Sequence, residues 1–228
     1  GNYAGDNMNV KMAVQMAEDD DIEVKYVVAN DDVASAPKAV KEQRHGIAGG
    51  FFMWKVGGAR AAKGGSLDDV IASAQNVVNR TKSICVGLEP CVIPALGHSN
   101  FKIEDGTMEF GVGHHGEAGT KVEKLKSASE MAQEMAETIL NDFDFEEGKE
   151  VAVMLSSLGA TPVMELYVLY DEVEKVLAKA GHKVWKTYIG NYVTSLDMNG
   201  ASLTIVDLDD EIKELLSEPA VPIGMKNY

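Results

Sequence analysis

Val151, Ala152, Val153, Met154 and Leu155 form an unbroken apolar run. A run that short, with no polar residue to face water, predicts a strand covered on both sides. Residues 156–161 then read as a turn, Pro162 suits the first position of a helix over 163–180, and Gly181 closes that helix. Two further strand-like stretches, 184–189 and 202–206, are joined by residues 190–201, and a short amphipathic helix over 209–217 follows. The linker is too short for a parallel crossover, so these two strands are expected to pair antiparallel and to make the sheet mixed.

The earlier half alternates in the same way. Met8, Met12, Ala13, Met16 and Ala17 fall near one face at helical spacing over 8–18. Residues 22–29 predict a strand covered on both faces, broken by Asn30, Asp31 and Asp32. Residues 35–46 are polar, carry Pro37, and read as a surface loop or lid. A helical pattern resumes over 47–62, and Ser66 with Asp69 makes a capping box for a helix ending at Asn79. Near residues 81–83 the composition turns strand-like. The chain is therefore divided into 1–82 and 83–228. The second part continues with a strand over 84–88, a connector over 89–100, a strand leading to Phe110, and a long helix over 122–143 whose Met131, Met135, Ile139 and Leu140 form a core stripe. The fold class that follows is α/β, as two α/β domains. The first is a layered parallel sheet, the second an α/β sandwich with a mixed sheet.

Gly1 to Asp6 has no initiator methionine and reads as the glycine-rich turn after a strand that precedes the sequence, so the first sheet is expected to be truncated. Net charge is −15 over 228 residues, with acidic groups spread along the chain. Such a surface repels nucleic-acid backbones and anionic lipid, and no apolar run reaches the length of a membrane span. Cys85 and Cys91 are too few for a disulfide framework and lack zinc-site spacing. They read as reduced thiols of a cytoplasmic protein.

Chemistry concentrates in Gly111, Val112, Gly113, His114, His115, Gly116, Glu117, Ala118 and Gly119, directly after Met108, Glu109 and Phe110. Four glycines let the backbone fold closely around a small ligand, and an imidazole is a nucleophile near pH 7 because its ordinary pKa is about 6.5. The residues by themselves also allow a glycine-rich turn with solvated histidines, or a metal site of His114, His115 and Glu117. Adjacent loop histidines chelate one ion poorly.

Several segments, in order along nearly the whole chain, resemble the dihydroxyacetone kinase K subunit family. They include Asn2-Tyr3-Ala4-Gly5-Asp6 with Met8-Asn9, Asn30-Asp31-Asp32-Val33, and Arg44-His45-Gly46-Ile47-Ala48-Gly49. Pro90-Cys91-Val92-Ile93-Pro94 and the run from Met108 through Glu117 continue the series. Leu158-Gly159-Ala160-Thr161-Pro162 with Glu165-Leu166-Tyr167, and Tyr188-Ile189-Gly190 with Thr194-Ser195-Leu196-Asp197-Met198, complete it.

The resemblance implies a dihydroxyacetone-binding subunit that holds the ketose as a covalent hemiaminal. The anchor it implies is His115, with His114 an exposed neighbour lacking an inherited role. It implies Asp6 as a substrate-binding residue and the base that activates the hydroxyl for phosphoryl transfer. Asp6 can equally cap the helix that follows it. No cofactor or metal is implied on this chain; ADP or ATP with Mg is expected on a separate phosphoryl-donor subunit, and the chain itself is expected as a cytoplasmic homodimer. Asp142 and Asp144 read as a solvated helix end. Two family features are missing from the sequence, a Gly-Ser-Gly-His segment and a lysine where Gly1 stands, and Ala118 replaces a common proline. The alternative within the same resemblance is a paralogue that binds dihydroxyacetone without phosphorylating it, as a sensor or transcriptional co-activator.

Overall fold

A strand with apolar side chains on both faces has to lie inside a sheet with cover on each side, and β4 (Glu150–Ser157) does so. The computed structural model describes residues 1–99, 101–144, 148–222 and 225–226. Its sheet has six strands in the order β3-β2-β1-β6-β4-β5. They are β1 (Thr81–Glu89), β2 (Thr107–Phe110), β3 (Lys121–Lys124), β4, β5 (Lys183–Gly190) and β6 (Asn199–Asp207). Only β4 and β5 run parallel; the other neighbouring pairs are antiparallel. The mixed sheet expected from the sequence is present.

The two-residue period of β4 divides its side chains between two cores. Val151, Val153 and Leu155 meet helices α4 (Ala128–Asp142) and α5 (Val163–Lys179), through Met135, Ile139, Leu166, Val173 and Leu177. Ala152 and Met154 face the other way. They pack with Phe52, Val56, Val77, Ile212 and Leu216 of α2 (Gly50–Ala62), α3 (Leu67–Asn79) and α6 (Asp210–Ser217). Each fully buried aliphatic side chain contributes about 1.5–3 kcal/mol, so the two layers clamp the sheet from both sides. A smaller cluster of Ile47, Cys85, Cys91, Val112, Leu158 and Met198 lies apart from both and seats several loops. Both cysteines are free and buried.

Several local signals for helix ends hold. Ser66 and Asp69 form the reciprocal capping box of α3. Gly181 follows α5 at φ +82°, a conformation that glycine adopts without steric cost. Pro162 is the N-cap of α5, one position ahead of its expected place.

Four expectations change. Residues 121–124 are the edge strand β3, and the helix starts only at Ala128 because Ser127 and Glu130 cap it there. β5 and β6 do not pair; the more apolar β4 takes the place between them, and the linker passes its end. Residues 22–29 form no strand, since no strand lies beside them among the described residues, and Ile22, Val24 and Tyr26 are exposed rather than covered on both faces. The first helix, α1 (Ala4–Asp19), starts four residues earlier than expected and has no buried residue. Its Met8, Met12 and Met16 all face outward. The described residues contain no helix long and apolar enough to cross a membrane.

Candidate functional site

The hairpin of β2 and β3 is joined by residues 111–120, the glycine-rich histidine loop. Gly111 leaves β2 at φ +77°, donating its N–H to the Cys85 carbonyl at 2.7 Å. Any side chain at Gly113 would meet Glu117, because a Cβ there would lie 2.1 Å from Oε2. The loop is therefore tight enough to fold a carboxylate back upon its own histidine. His115 N–H donates to Glu117 Oε2 at 2.8 Å, and His115 Nδ1 lies 3.3 Å from Oε1. A carboxylate opposite Nδ1 holds the proton on that nitrogen and leaves the Nε2 lone pair free. The His115 side chain is 56% exposed, so this ring is open to a ligand.

Tyr3 stacks on the His115 ring at 4.6 Å between centroids, with an interplanar angle of 28°. It also meets His45 edge-on at 5.1 Å. Tyr3 is placed by its buried neighbour Asn2, whose Nδ2 donates to the Ala29 carbonyl at 2.7 Å and the Arg44 carbonyl at 2.8 Å. Arg44 is in turn fixed by a bidentate pair with Asp142 at 2.6 and 2.7 Å. Asp142 is therefore not a solvated helix end. Burial alone would raise its pKa, but the Arg44 hydrogen bonds and charge, with Lys82 and Lys38, hold it below the usual range. Asp144 does remain exposed and pairs with Lys38 at 2.7 Å.

Asp6 lies in the first turn of α1 and accepts from Tyr3 N–H at 3.2 Å, the capping geometry. It also lines a cavity of about 460 Å³ together with His114, His115, Cys91, Thr194 and Ser195. The structure thus brings Asp6 and His115, the two expected site residues, to one cavity. His114 differs from expectation because most of its ring is buried. Burial, with the neighbouring His115, lowers its pKa to about 4. Beneath the loop, Asp32 is 3% exposed and its carboxyl is pushed up to about 7, mainly by burial, with Asp31 and Glu117 adding to the rise. Asp31 accepts from Ile47 N–H at 3.1 Å and Gly49 N–H at 2.7 Å, fixing the start of α2. No group of three His, Cys, Asp or Glu side chains able to hold a metal occurs among the described residues.

Sequence reasoning missed Tyr3 and Arg44 as site components, and Glu117 as the group oriented upon His115. Only the last had a local signal, a carboxylate two residues after the histidine in a loop of glycines.

A family model described as the Dak1 domain matches residues 1–223. The chain is 40% identical over 210 residues to the dihydroxyacetone-binding subunit DhaK of PTS-dependent dihydroxyacetone kinase 1 from Listeria innocua, matching 92% of this chain and 64% of that relative. It is 33% identical to the DhaK subunit of the PEP-dependent dihydroxyacetone kinase from Escherichia coli K12, with 96% and 68% matched. Among solved structures it is similar to the dihydroxyacetone kinase operon co-activator Dha-DhaQ, at a TM-score of 0.88 and 30% identity, covering 96% of this chain and 68% of that one. The chain spans about two thirds of the length of the curated relatives it matches. With a family match over nearly every residue and the same fold in a solved relative, the chain belongs to the Dak1 domain family.

Proposed function

We propose that this chain is the ketose-holding part of a dihydroxyacetone kinase, with His115 as covalent anchor and Asp6 as the hydroxyl-activating base. The observation that carries the reading is the Glu117 carboxylate opposite Nδ1 of His115, a residue that lines the same cavity as Asp6. In this reading Nε2 adds to the carbonyl carbon of dihydroxyacetone. The carbon–oxygen π pair moves to oxygen, which gains a proton, while the ring releases its Nδ1 proton toward Glu117; no net proton is consumed. Only a carbonyl compound accepts this bond, so the site separates a triose from glycerol, which hydrogen bonds to hydroxyls would scarcely do.

For phosphoryl transfer, Asp6 takes the proton of a terminal hydroxyl as its oxygen attacks phosphorus and the bond to the nucleotide breaks. The nucleotide with Mg is carried by a separate donor subunit, and the chain acts in the cytoplasm as a homodimer. The same reading divides the chain near residue 82, between the end of α3 and the body of β1. The test is carbon-13 NMR with dihydroxyacetone labelled at C2. The resonance moves from the carbonyl to the tetrahedral region on binding, and His115→Gln abolishes the move. An unmoved resonance with bound ligand refutes the anchor.

A second reading, a non-phosphorylating sensor or co-activator, is favoured by the similarity to Dha-DhaQ. Such a protein would give the same NMR change but form no dihydroxyacetone phosphate with a nucleotide-loaded donor subunit.

A further inference from the structure

An imidazole bonds to a carbonyl carbon only from a narrow range of orientations, and a restraint already present in the free protein lowers the ordering cost of that bond. The proposed function, on which this inference rests, gives the bond to His115, whose side chain is 56% exposed and so has little packing to hold it. Glu117 restrains one edge of the ring, at Nδ1. A single contact in the ring plane still lets the ring tilt about it, so a second restraint has to act on the face.

Tyr3 supplies that restraint. Its ring lies against His115 at 4.6 Å between centroids and 28° between planes, within the range of stacked aromatic pairs. The phenol ring is itself steadied by His45, edge-on at 5.1 Å and 74°. His45 is placed by its main chain, whose N–H donates to Ser35 Oγ at 3.0 Å and whose carbonyl accepts from Asp32 N–H at 3.2 Å. The main chain of Tyr3 is equally committed. Its N–H donates to Asp6 Oδ2 at 3.2 Å, and its carbonyl accepts from Asn7 N–H at 3.0 Å and from Asn7 Nδ2 at 3.1 Å. One residue therefore touches both site groups, with its ring on His115 and its N–H on Asp6. We infer that Tyr3 is a positioning residue for the covalent anchor: its ring fixes the tilt of the His115 imidazole, and its main chain keeps that ring in register with Asp6. Stacking covers a face of the imidazole and leaves open the ring edge, where the Nε2 lone pair lies. The imidazole gains positive charge as Nε2 bonds to the carbonyl carbon, until the Nδ1 proton passes to Glu117, and the negative face of an aromatic ring attracts that charge. The phenol hydroxyl takes part in neither effect.

The test uses the full chain and dihydroxyacetone labelled at C2, with dissociation constants taken from the tetrahedral carbon-13 signal and the His115 ring protons followed in the ligand-free protein. In wild type the ring current of the stacked phenol shifts those protons upfield. Tyr3→Leu keeps an apolar side chain but no aromatic face; the upfield shift is lost and dihydroxyacetone binds about 3- to 10-fold more weakly, the worth of one aromatic pair. Tyr3→Phe, which lacks only the hydroxyl, retains the shift and keeps the affinity within about 2-fold. Glycerol, measured as a competitor, has no carbonyl to bond and binds all three proteins equally, which also shows that the cavity of each variant is intact. Unchanged ketose affinity in Tyr3→Leu, equal weakening in Tyr3→Leu and Tyr3→Phe, or glycerol weakened as much as the ketose overturns the assignment. Absence of a tetrahedral signal in wild type instead overturns the His115 reading beneath it.

Discussion

Removing the Asp142 carboxylate should weaken the fold and loosen a turn that lies far from it in sequence. The Arg44 guanidinium is 1% exposed and the Asp142 side chain 11%, with two short parallel hydrogen bonds between them and a third from Arg44 Nε to the Ala36 carbonyl at 2.8 Å. Truncation to alanine leaves the arginine charge buried without a counter-ion, beside the buried Lys82. A broken buried pair costs about 3–5 kcal/mol, which for a chain of this size lowers Tm by about 6–20 °C. Urea titrations at pH 7 measure the loss directly. The pH dependence gives a second check. The Asp142 pKa is lower in the folded chain, so its contribution is complete above the ordinary carboxylate range near pH 4 and disappears as pH falls through the folded value. Wild type and Asp142→Ala should therefore converge in acid. A double change, Arg44→Met with Asp142→Leu, should recover most of the loss, because an apolar pair needs no counter-charge. A penalty under about 1 kcal/mol at pH 7, or one that is unchanged in acid, refutes the account.

Glu117→Gln should lower ketose association by about 10-fold or more, since an amide opposite Nδ1 no longer fixes the tautomer; carbon-13 NMR titration checks it. Asp32 keeps its proton in the folded chain up to about pH 7 but loses it near pH 4 when unfolded, so stability falls as pH rises between those values. The fall is at most about 4 kcal/mol, and Asp32→Asn should flatten it in urea titrations at pH 5 and pH 8. Gly159 has φ +139°, and a Cβ there would lie 1.9 Å from the Leu196 carbonyl oxygen. Gly159→Ala should therefore cost at least about 2 kcal/mol of unfolding free energy, with a shifted urea midpoint.

Where the sequence is legible, a local pattern has a single physical outcome. β4 is readable because five consecutive apolar residues admit only a covered strand, and α3 because Ser66 and Asp69 satisfy one another's backbone. β3 is not readable by periodicity. Lys121, Val122, Glu123 and Lys124 form a short, charged edge strand whose partner is fixed by the hairpin, and the Ser127 and Glu130 box was the available sign that no helix had started. Residues 22–29 alternate as a strand should, but a ladder also needs a neighbour, which periodicity does not supply. The histidine loop could be found because glycine spacing is local. Its stacking on Tyr3 and the anchoring of Arg44 by Asp142 depend on tertiary approach, and each of those residues read alone is an ordinary surface residue.

The outward row of thioethers on α1 makes a chemical reporter. Met8, Met12 and Met16 meet solvent, whereas Met108, Met135, Met154 and Met198 are sealed inside. Mild peroxide will convert the first three to sulfoxides well before the others. Any segment or partner that comes to rest on that helix will then register as slowed oxidation at those three sulfurs, which gives a footprint of the covering surface residue by residue.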